Sequence, residues 1–357
     1  MKRIRIRVVG RMTAIFAAVA MVASVGHQVS AKDDDRDDDH DNDDGYTIAL
    51  FGDQPYNALG RSQYPAMLAD INRAHVAFSV HDGDLKAGGD GSCADSLYFT
   101  ALDYFNSLER PLIFVPGDND WTDCWGRYGP ATAPFYDPEE RLDRERALFF
   151  STDYSLGKEK LRITRQTGEG YPENQRWKVG PVVYIGLNVQ GSNDNYAYRD
   201  TEMGSGVPVR SDAEIQRQRN EEIARKAAVF RWLDAGFAYA RGVHAKGVMI
   251  IWQADPNFNN EQQQTNPHEY DAYPDYINKL RALTEAFEGQ VALVHGDSHY
   301  FKVDKPLNHT TGGGVLGNFT RIETFGARNT HWVKVRIELR DPNVFVVEPR
   351  IVPANAQ

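Results

Sequence analysis

YTIALFGDQPY (residues 46–56) starts as an apolar run of strand length and turns polar at Asp53. A near-continuous apolar run that ends at glycine and polar residues is typical of a strand buried on both faces. The pattern recurs in VAFSVHDGDLK (76–86), LIFVPGDNDW (112–121), VVYIGLNV (182–189), VMIIWQADPN (248–257) and VALVHGDSH (291–299). This recurring pattern therefore predicts a sheet whose strands end in polar residues.

Helical patterns separate these strands, at residues 63–75, 96–109, 212–241 and 276–287. Strands that alternate with helices indicate βαβ units and an α/β fold. Residues 125–215 break the rhythm and are predicted to hold a lid or an insertion. One domain over residues 46–357 fits the spread of the strands better than two domains.

The strand ends carry a set of residues that could bind metal: Asp53, Asp84, Asp118, Gln253, Asp297 and His299. In open α/β sheets, side chains at the carboxyl ends of strands converge on one crevice. Four carboxylates in one crevice would repel one another unless cations lay between them. The sequence therefore predicts a metal site, and two divalent ions would balance its charge.

The amino terminus reads as an export signal. Five cations precede an apolar stretch and a small-residue site at Ala31, which predicts a signal peptide over residues 1–31. A retained membrane anchor is the alternative. The Asp-rich segment 32–45 is predicted to be a disordered acidic tail; a calcium-binding loop is the more specific alternative. We expect a periplasmic or secreted monomer with no further contact to the membrane.

The remaining bulk properties agree with export. The formal net charge of −10 argues against a nucleic-acid partner. The only two cysteines, Cys93 and Cys124, follow neighbouring strand ends, and a disulfide between them is expected in an exported protein. Two free thiols are the alternative.

The order of these motifs resembles the calcineurin-like metallophosphoesterases. That family's pattern is DxH, GD, GNH followed by Asp or Glu, a lone His, and GHxH. The corresponding residues here are Asp53-Gln54-Pro55, Gly83-Asp84, Gly117-Asp118-Asn119-Asp120, Gln253 and Gly296-Asp297-Ser298-His299. The resemblance implies a four-layer αββα sandwich of two mixed β-sheets flanked by helices, with two metals. It also implies that Asp53, Asp84 and His299 hold the first ion, and Asp84, Asp118, Gln253 and Asp297 the second.

Oxygen donors replace several of the family's histidines. Such donors favour manganese or magnesium, with calcium as an alternative, over zinc or iron. Asn119 occupies the position of the family's leaving-group acid and cannot donate a proton in that way. His81, Asp120, Asp255 and His295 are the substitutes that the sequence offers, and Lys86 could restore positive charge.

The resemblance implies an exported, metal-dependent phosphoric ester hydrolase. It would cleave a small-molecule phosphate monoester or diester through a hydroxide held between the metals. The alternative is a metallophosphoesterase-like protein without turnover, whose calcium or manganese site is structural or serves binding.

Overall fold

The computed structural model describes residues 45–88, 92–125, 136–197, 210–258 and 270–356. The predicted signal peptide, nearly all of the acidic tail and parts of the predicted lid lie outside these residues. The described residues all belong to one compact unit, Asp41–Gln357. No helix within the described ranges combines the length and apolar character needed to span a bilayer.

Two mixed β-sheets form the centre of the molecule. The five-stranded sheet has the order β12-β11-β1-β2-β3. Its strands are β1 (Tyr46–Phe51), β2 (Phe78–His81), β3 (Leu112–Phe114), β11 (Trp332–Ile337) and β12 (Phe345–Arg350). β1, β2 and β3 pair in parallel, and β11 pairs antiparallel with both β1 and β12.

The seven-stranded sheet has the order β4-β5-β6-β7-β8-β10-β9. Its strands are β4 (Thr164–Gln166), β5 (Tyr171–Val179), β6 (Val182–Gly186), β7 (Gly247–Ile251), β8 (Gln290–His295), β9 (Lys302–Asp304) and β10 (Phe319–Glu323). The central strands β6, β7, β8 and β10 are parallel.

Six helices in the described part of the chain surround the sheets. They are α1 (Ala58–Arg73), α2 (Asp95–Asn106), α3 (Pro138–Phe149), the single turn α4 (Gly191–Asp194), α5 (Asp212–Gly242) and α6 (Pro274–Glu285). Several of these helices begin at an N-cap, where a side chain accepts a hydrogen bond from a backbone N–H of the first turn. Asn57 accepts from the Gly60 N–H at the start of α1, and Ser211 and Glu214 form a reciprocal cap on α5.

Three apolar clusters define four layers. Strand residues alternate between faces, so Leu50 packs between the sheets while its neighbour Phe51 packs against α1 and α2. Ile250 of β7 packs against α5 and α6 on the opposite side of the molecule. Both sheets are thus covered on both faces, which explains the apolar runs in the sequence. The predicted α/β fold, with two mixed sheets flanked by helices, is confirmed.

Candidate metal site at the strand ends

The polar strand ends of both sheets meet in one place. Asp53 and Asp84 follow the parallel strands β1 and β2, whereas Asp297 and His299 follow β8 of the other sheet. The Asp297 N–H donates to the Asp53 carboxylate at 3.1 Å, which joins the two loops directly. Residues that lie 244 positions apart in sequence therefore share one site.

Asp53, Asp84 and His299 form the first group of donors. Their ligand atoms all lie within 4.8 Å of one another. The two aspartates are buried, while the His299 side chain is 33% exposed, so the group opens to solvent on the histidine side. This spacing fits a single cation that is reached from one side.

The Tyr56 phenol lies in the middle of this group, and the sequence analysis did not select it. Its oxygen lies 2.5 Å from Asp84 Oδ2, 3.0 Å from Asp53 Oδ1 and 3.2 Å from His299 Nε2. Tyr56 follows Pro55, which stands where the family pattern has a histidine. Its position in the chain gives no sign of this role, because the contacts to Asp84 and His299 are long-range.

Asp118 and Asp297 form the second group. Asp118 Oδ2 and Asp297 Oδ1 each lie 2.8 Å from the point where a Cβ on Gly191 would be. Ser192 Oγ donates to Asp118 Oδ2 at 2.7 Å, but the buried Asp118 Oδ1 has no hydrogen-bond partner among the described residues. A buried carboxylate oxygen without a donor fits a site for a cation.

The Gln253 side chain contacts both the Gly191 turn and the second donor group. Its Oε1 accepts the Gly191 N–H at 2.6 Å, and its Nε2 donates to Asp297 Oδ1 at 3.3 Å. The predicted ligand is therefore present at the site and holds the Gly191 turn against the two carboxylates. Its oxygen retains a second lone pair that a cation could use.

Burial and mutual repulsion raise the pKa values of Asp84, Asp118 and Asp297. Burial and the charges of Asp118 and Asp53 raise the pKa of Asp84 well above its usual range, and the same two charges add to burial in raising the pKa of Asp297. Burial raises the pKa of Asp118 as well. Such a cluster is costly by itself and is stabilised by bound cations.

Backbone strain is concentrated at these residues. Four of the six predicted ligands have a positive φ: Asp53 at 50°, Asp84 at 65°, Asp297 at 71° and His299 at 64°. A positive φ is uncommon outside glycine, and residues held in this way cluster at functional sites. The loops aim these side chains at an energetic cost.

Asn119 and Asp120 have different positions. Asn119 Nδ2 donates to Asp84 Oδ2 and to the Tyr56 hydroxyl, which places it at the first group. The Asp120 carboxylate accepts the N–H groups of Asp84, Leu85 and Gly117 and so braces two of the site loops. It is fully buried, and burial raises its pKa to about 7 despite these donors.

Within the described residues, His81 and Lys86 make no hydrogen bond to the donor side chains. The His81 ring does contact the Gln54 carbonyl and the Gly83 N–H beside them. The His81 ring is fully buried among Phe51, Phe105 and Phe114, and burial lowers its pKa to about 4. Lys86 lines a separate cavity beside α1 and α2. The roles assigned to these residues from the sequence remain predictions.

The two cysteines form the predicted disulfide. Cys93 precedes α2, and Cys124 lies in the 3₁₀ turn Thr122–Trp125, with 5.7 Å between the Cα atoms. The bond links the loop after Asp84 to the loop after Asp118. The expectation of a disulfide is confirmed.

Comparison with known proteins gives similarity of fold only. No protein-family model matches the chain, and no curated protein matches it. Similar solved structures include PhoD (TM-score 0.46, 11% identity, 85% of this chain and 68% of that one). A 5′-nucleotidase from Candida albicans matches at TM-score 0.40 and 9% identity over 85% of this chain, which spans 50% of the nucleotidase. GAP50, the anchor in the inner membrane complex of Plasmodium, matches at TM-score 0.40 and 11% identity over 86% of this chain and 89% of that one.

Proposed function

We propose that this protein is an exported, metal-dependent phosphoesterase that acts on small-molecule phosphate esters. The observation that carries the proposal is the convergence of two adjoining donor groups. Asp53, Asp84 and His299 lie within 4.8 Å of one another, and Asp118 and Asp297 flank Gly191 beside them. The motif order in the sequence agrees with this chemistry.

The donor set fits two divalent ions. Asp53, Asp84, His299 and the Tyr56 oxygen would hold the first, and Asp84, Asp118 and Asp297, with Gln253 beside them, the second. Tyr56 would supply the donor that Pro55 cannot. Mostly oxygen donors suit manganese or magnesium better than zinc. When bound, the ions would neutralise charge on the phosphoryl oxygens and make water a better nucleophile.

The protein's own residues would position this chemistry. Asp120 Oδ2 accepts the N–H groups of Asp84 and Gly117 and so holds the Asp84 and Asp118 loops together, and Gln253 fixes the turn at Gly191. The exposed side of His299 gives the ester its route of entry. Held geometry of this kind lowers the entropic cost of bringing water and ester together.

The leaving group is expected to need little help from an acid. Asn119 contacts Asp84 and Tyr56 and has no acidic proton to give. His81, which the sequence offered as a substitute, lies in the aromatic core. We therefore expect anhydrides and aryl phosphate mono- and diesters, whose leaving oxygens have low pKa values, to react before alkyl esters.

Export is supported by the disulfide, since such bonds persist in oxidising compartments. The predicted signal peptide points to the same compartment. Periplasmic or secreted location is therefore part of the proposal.

The test is a metal add-back assay. The purified protein is stripped of metal, supplied with manganese, magnesium, calcium or zinc, and assayed with bis-aryl and mono-aryl phosphates. Asp84→Asn should lower metal-dependent turnover at least about 100-fold, because even outer-shell partners of metals are worth 10- to 100-fold. Asp103→Asn, on the exposed face of α2, is the matched control.

The position of Tyr56 favours a second candidate, a metal-binding protein without turnover. A phenol among Asp53, Asp84 and His299 occupies space that water or an ester would need. Tight calcium or manganese binding without hydrolysis of any aryl phosphate would establish this candidate and refute the first.

A further inference from the structure

A cavity of about 310 Å³ lies in the outer layer between α1 and α2. Its walls include the apolar side chains of Tyr64, Leu97, Ala101 and Phe105. Pockets of this size hold small organic molecules. The cavity shares none of the proposed metal ligands, and what we infer for it depends on neither metal nor turnover.

Lys86 is the unusual residue of this cavity. Its side chain lines the space and is only 6% exposed, yet within the described ranges the ammonium makes a single hydrogen bond, 3.3 Å to the Ala87 carbonyl. No carboxylate among the described residues forms an ion pair with it. An ammonium has three donors, so two remain for another partner.

Most other buried cations of the described chain are ion-paired, and Arg165, which is not, donates to three backbone carbonyls. Arg225 contacts Asp194 at 2.6 Å, and Lys226 contacts Glu222 at 2.5 Å. Such pairing is the rule because an isolated buried charge is costly. The carboxylate of Asp120 lies near enough for Lys86 to influence its titration, but it is held by three backbone N–H groups and forms no ion pair with Lys86.

The charge of the cavity is opposite to that of the protein. Among the described residues its lining contains the Lys86 ammonium and no carboxylate, in a chain with a net charge of −10. A cationic lining with an apolar floor is complementary to a molecule that has an anionic head and an apolar body.

We propose that the cavity between α1 and α2 binds a small organic anion. The anionic group would accept hydrogen bonds from Lys86, and a ring or short chain would pack against Tyr64, Leu97 and Phe105. Ser96 and Thr100, at the exposed edge, offer hydroxyls to a polar substituent.

The test is calorimetric titration of the purified full chain with 2-naphthoate. Its neutral counterpart, 2-naphthalenemethanol, has the same ring without the charge. We expect naphthoate to bind at one site. The alcohol, and naphthoate with Lys86→Met, should each bind about tenfold or more weakly, the ratio that follows when a hydrogen bond to a charged group is lost.

Two further variants locate the binding. Thr100→Trp fills the exposed edge of the cavity without touching Lys86 and should abolish binding. Lys158→Met removes an exposed lysine that pairs with Glu109 and should leave binding unchanged. Thermal melts establish that each variant is folded. Absence of naphthoate binding, or binding that is equal for the alcohol, for Lys86→Met or for Thr100→Trp, would overturn the proposal.

Discussion

Gly191→Ala should separate the two halves of the proposed metal site. A Cβ at this position would lie 2.8 Å from both Asp118 Oδ2 and Asp297 Oδ1, closer than real Cβ contacts allow. The carboxylates of the second group would have to move apart. The atoms nearest this point belong to Asp118 and Asp297, so Asp53, Asp84 and His299 should keep their arrangement.

The size of the effect follows from the overlap. Adding a methyl group to a well-packed site costs about 1–3 kcal/mol. If that strain is relieved by displacing the two ligands, binding of the second ion should weaken by about 5- to 150-fold. Binding of the first ion should change by less than about twofold.

Manganese titration of the metal-free protein by calorimetry measures both steps. Gly168→Ala is the matched control, because a Cβ there meets nothing within 4 Å. Gly326→Ala is the converse variant: its Cβ would lie 2.8 Å from His299 Cδ2, so it should weaken the first ion. Wild-type affinities for both ions in Gly191→Ala would refute the assignment of Asp118 and Asp297 to one cation.

Three further variants test other parts of the structure. Tyr56→Phe removes the phenol oxygen from the first donor group and should weaken one manganese step about tenfold or more in the same titration; unchanged binding would show that the phenol is no ligand. Glu145 is fully buried, and burial raises its pKa well above 4.5, so the folded state holds a proton that the unfolded state releases as pH rises. The contribution of Glu145 to the free energy of unfolding should therefore fall by about 1.4 kcal/mol per pH unit above 4.5. Urea unfolding between about pH 5 and pH 7 measures how the free energy of unfolding changes with pH, and this change should be smaller in Glu145→Gln; equal changes in the two proteins would contradict the argument. Arg225→Met leaves the buried Asp194 unpaired and should lower the free energy of unfolding by about 3–5 kcal/mol, whereas Arg231→Met, exposed on the same helix, should cost less than about 1 kcal/mol; equal costs would refute the argument.

The strands could be predicted because the apolar pattern that defines each one lies within its own segment of sequence. Each central strand is apolar on both faces, so its apolar run can be recognised from the sequence without knowledge of the neighbouring strands. The helix α5 was placed within a residue of its observed end because its caps and apolar spacing lie within the segment. The start of α1 was less predictable: the helical pattern was placed from residue 63, but the Asn57 cap starts the helix at Ala58 and leaves Pro65 inside it.

The charged residues of the candidate site could be predicted from the sequence, but the contacts that other residues make with them could not. Asp53, Asp84 and His299 follow from strand ends that must converge. Tyr56, by contrast, takes its role from partners far along the chain, and Ser192 reaches Asp118 from a segment that reads as a plain loop. The cavity beside Lys86 depends on how two helices pack, which no local pattern encodes.

The proposed ligands come from both sheets, and this has a thermodynamic consequence. Asp53 and Asp84 extend from the five-stranded sheet, Asp297 and His299 from the seven-stranded sheet. Without cations, their repulsion would act to part the two sheets at one edge; with cations bound, the same residues would hold that edge closed. Ligand binding to the folded state alone would add about 4 kcal/mol to stability at a metal concentration 1,000 times Kd. The melting temperature would then report the metal content of the surrounding compartment.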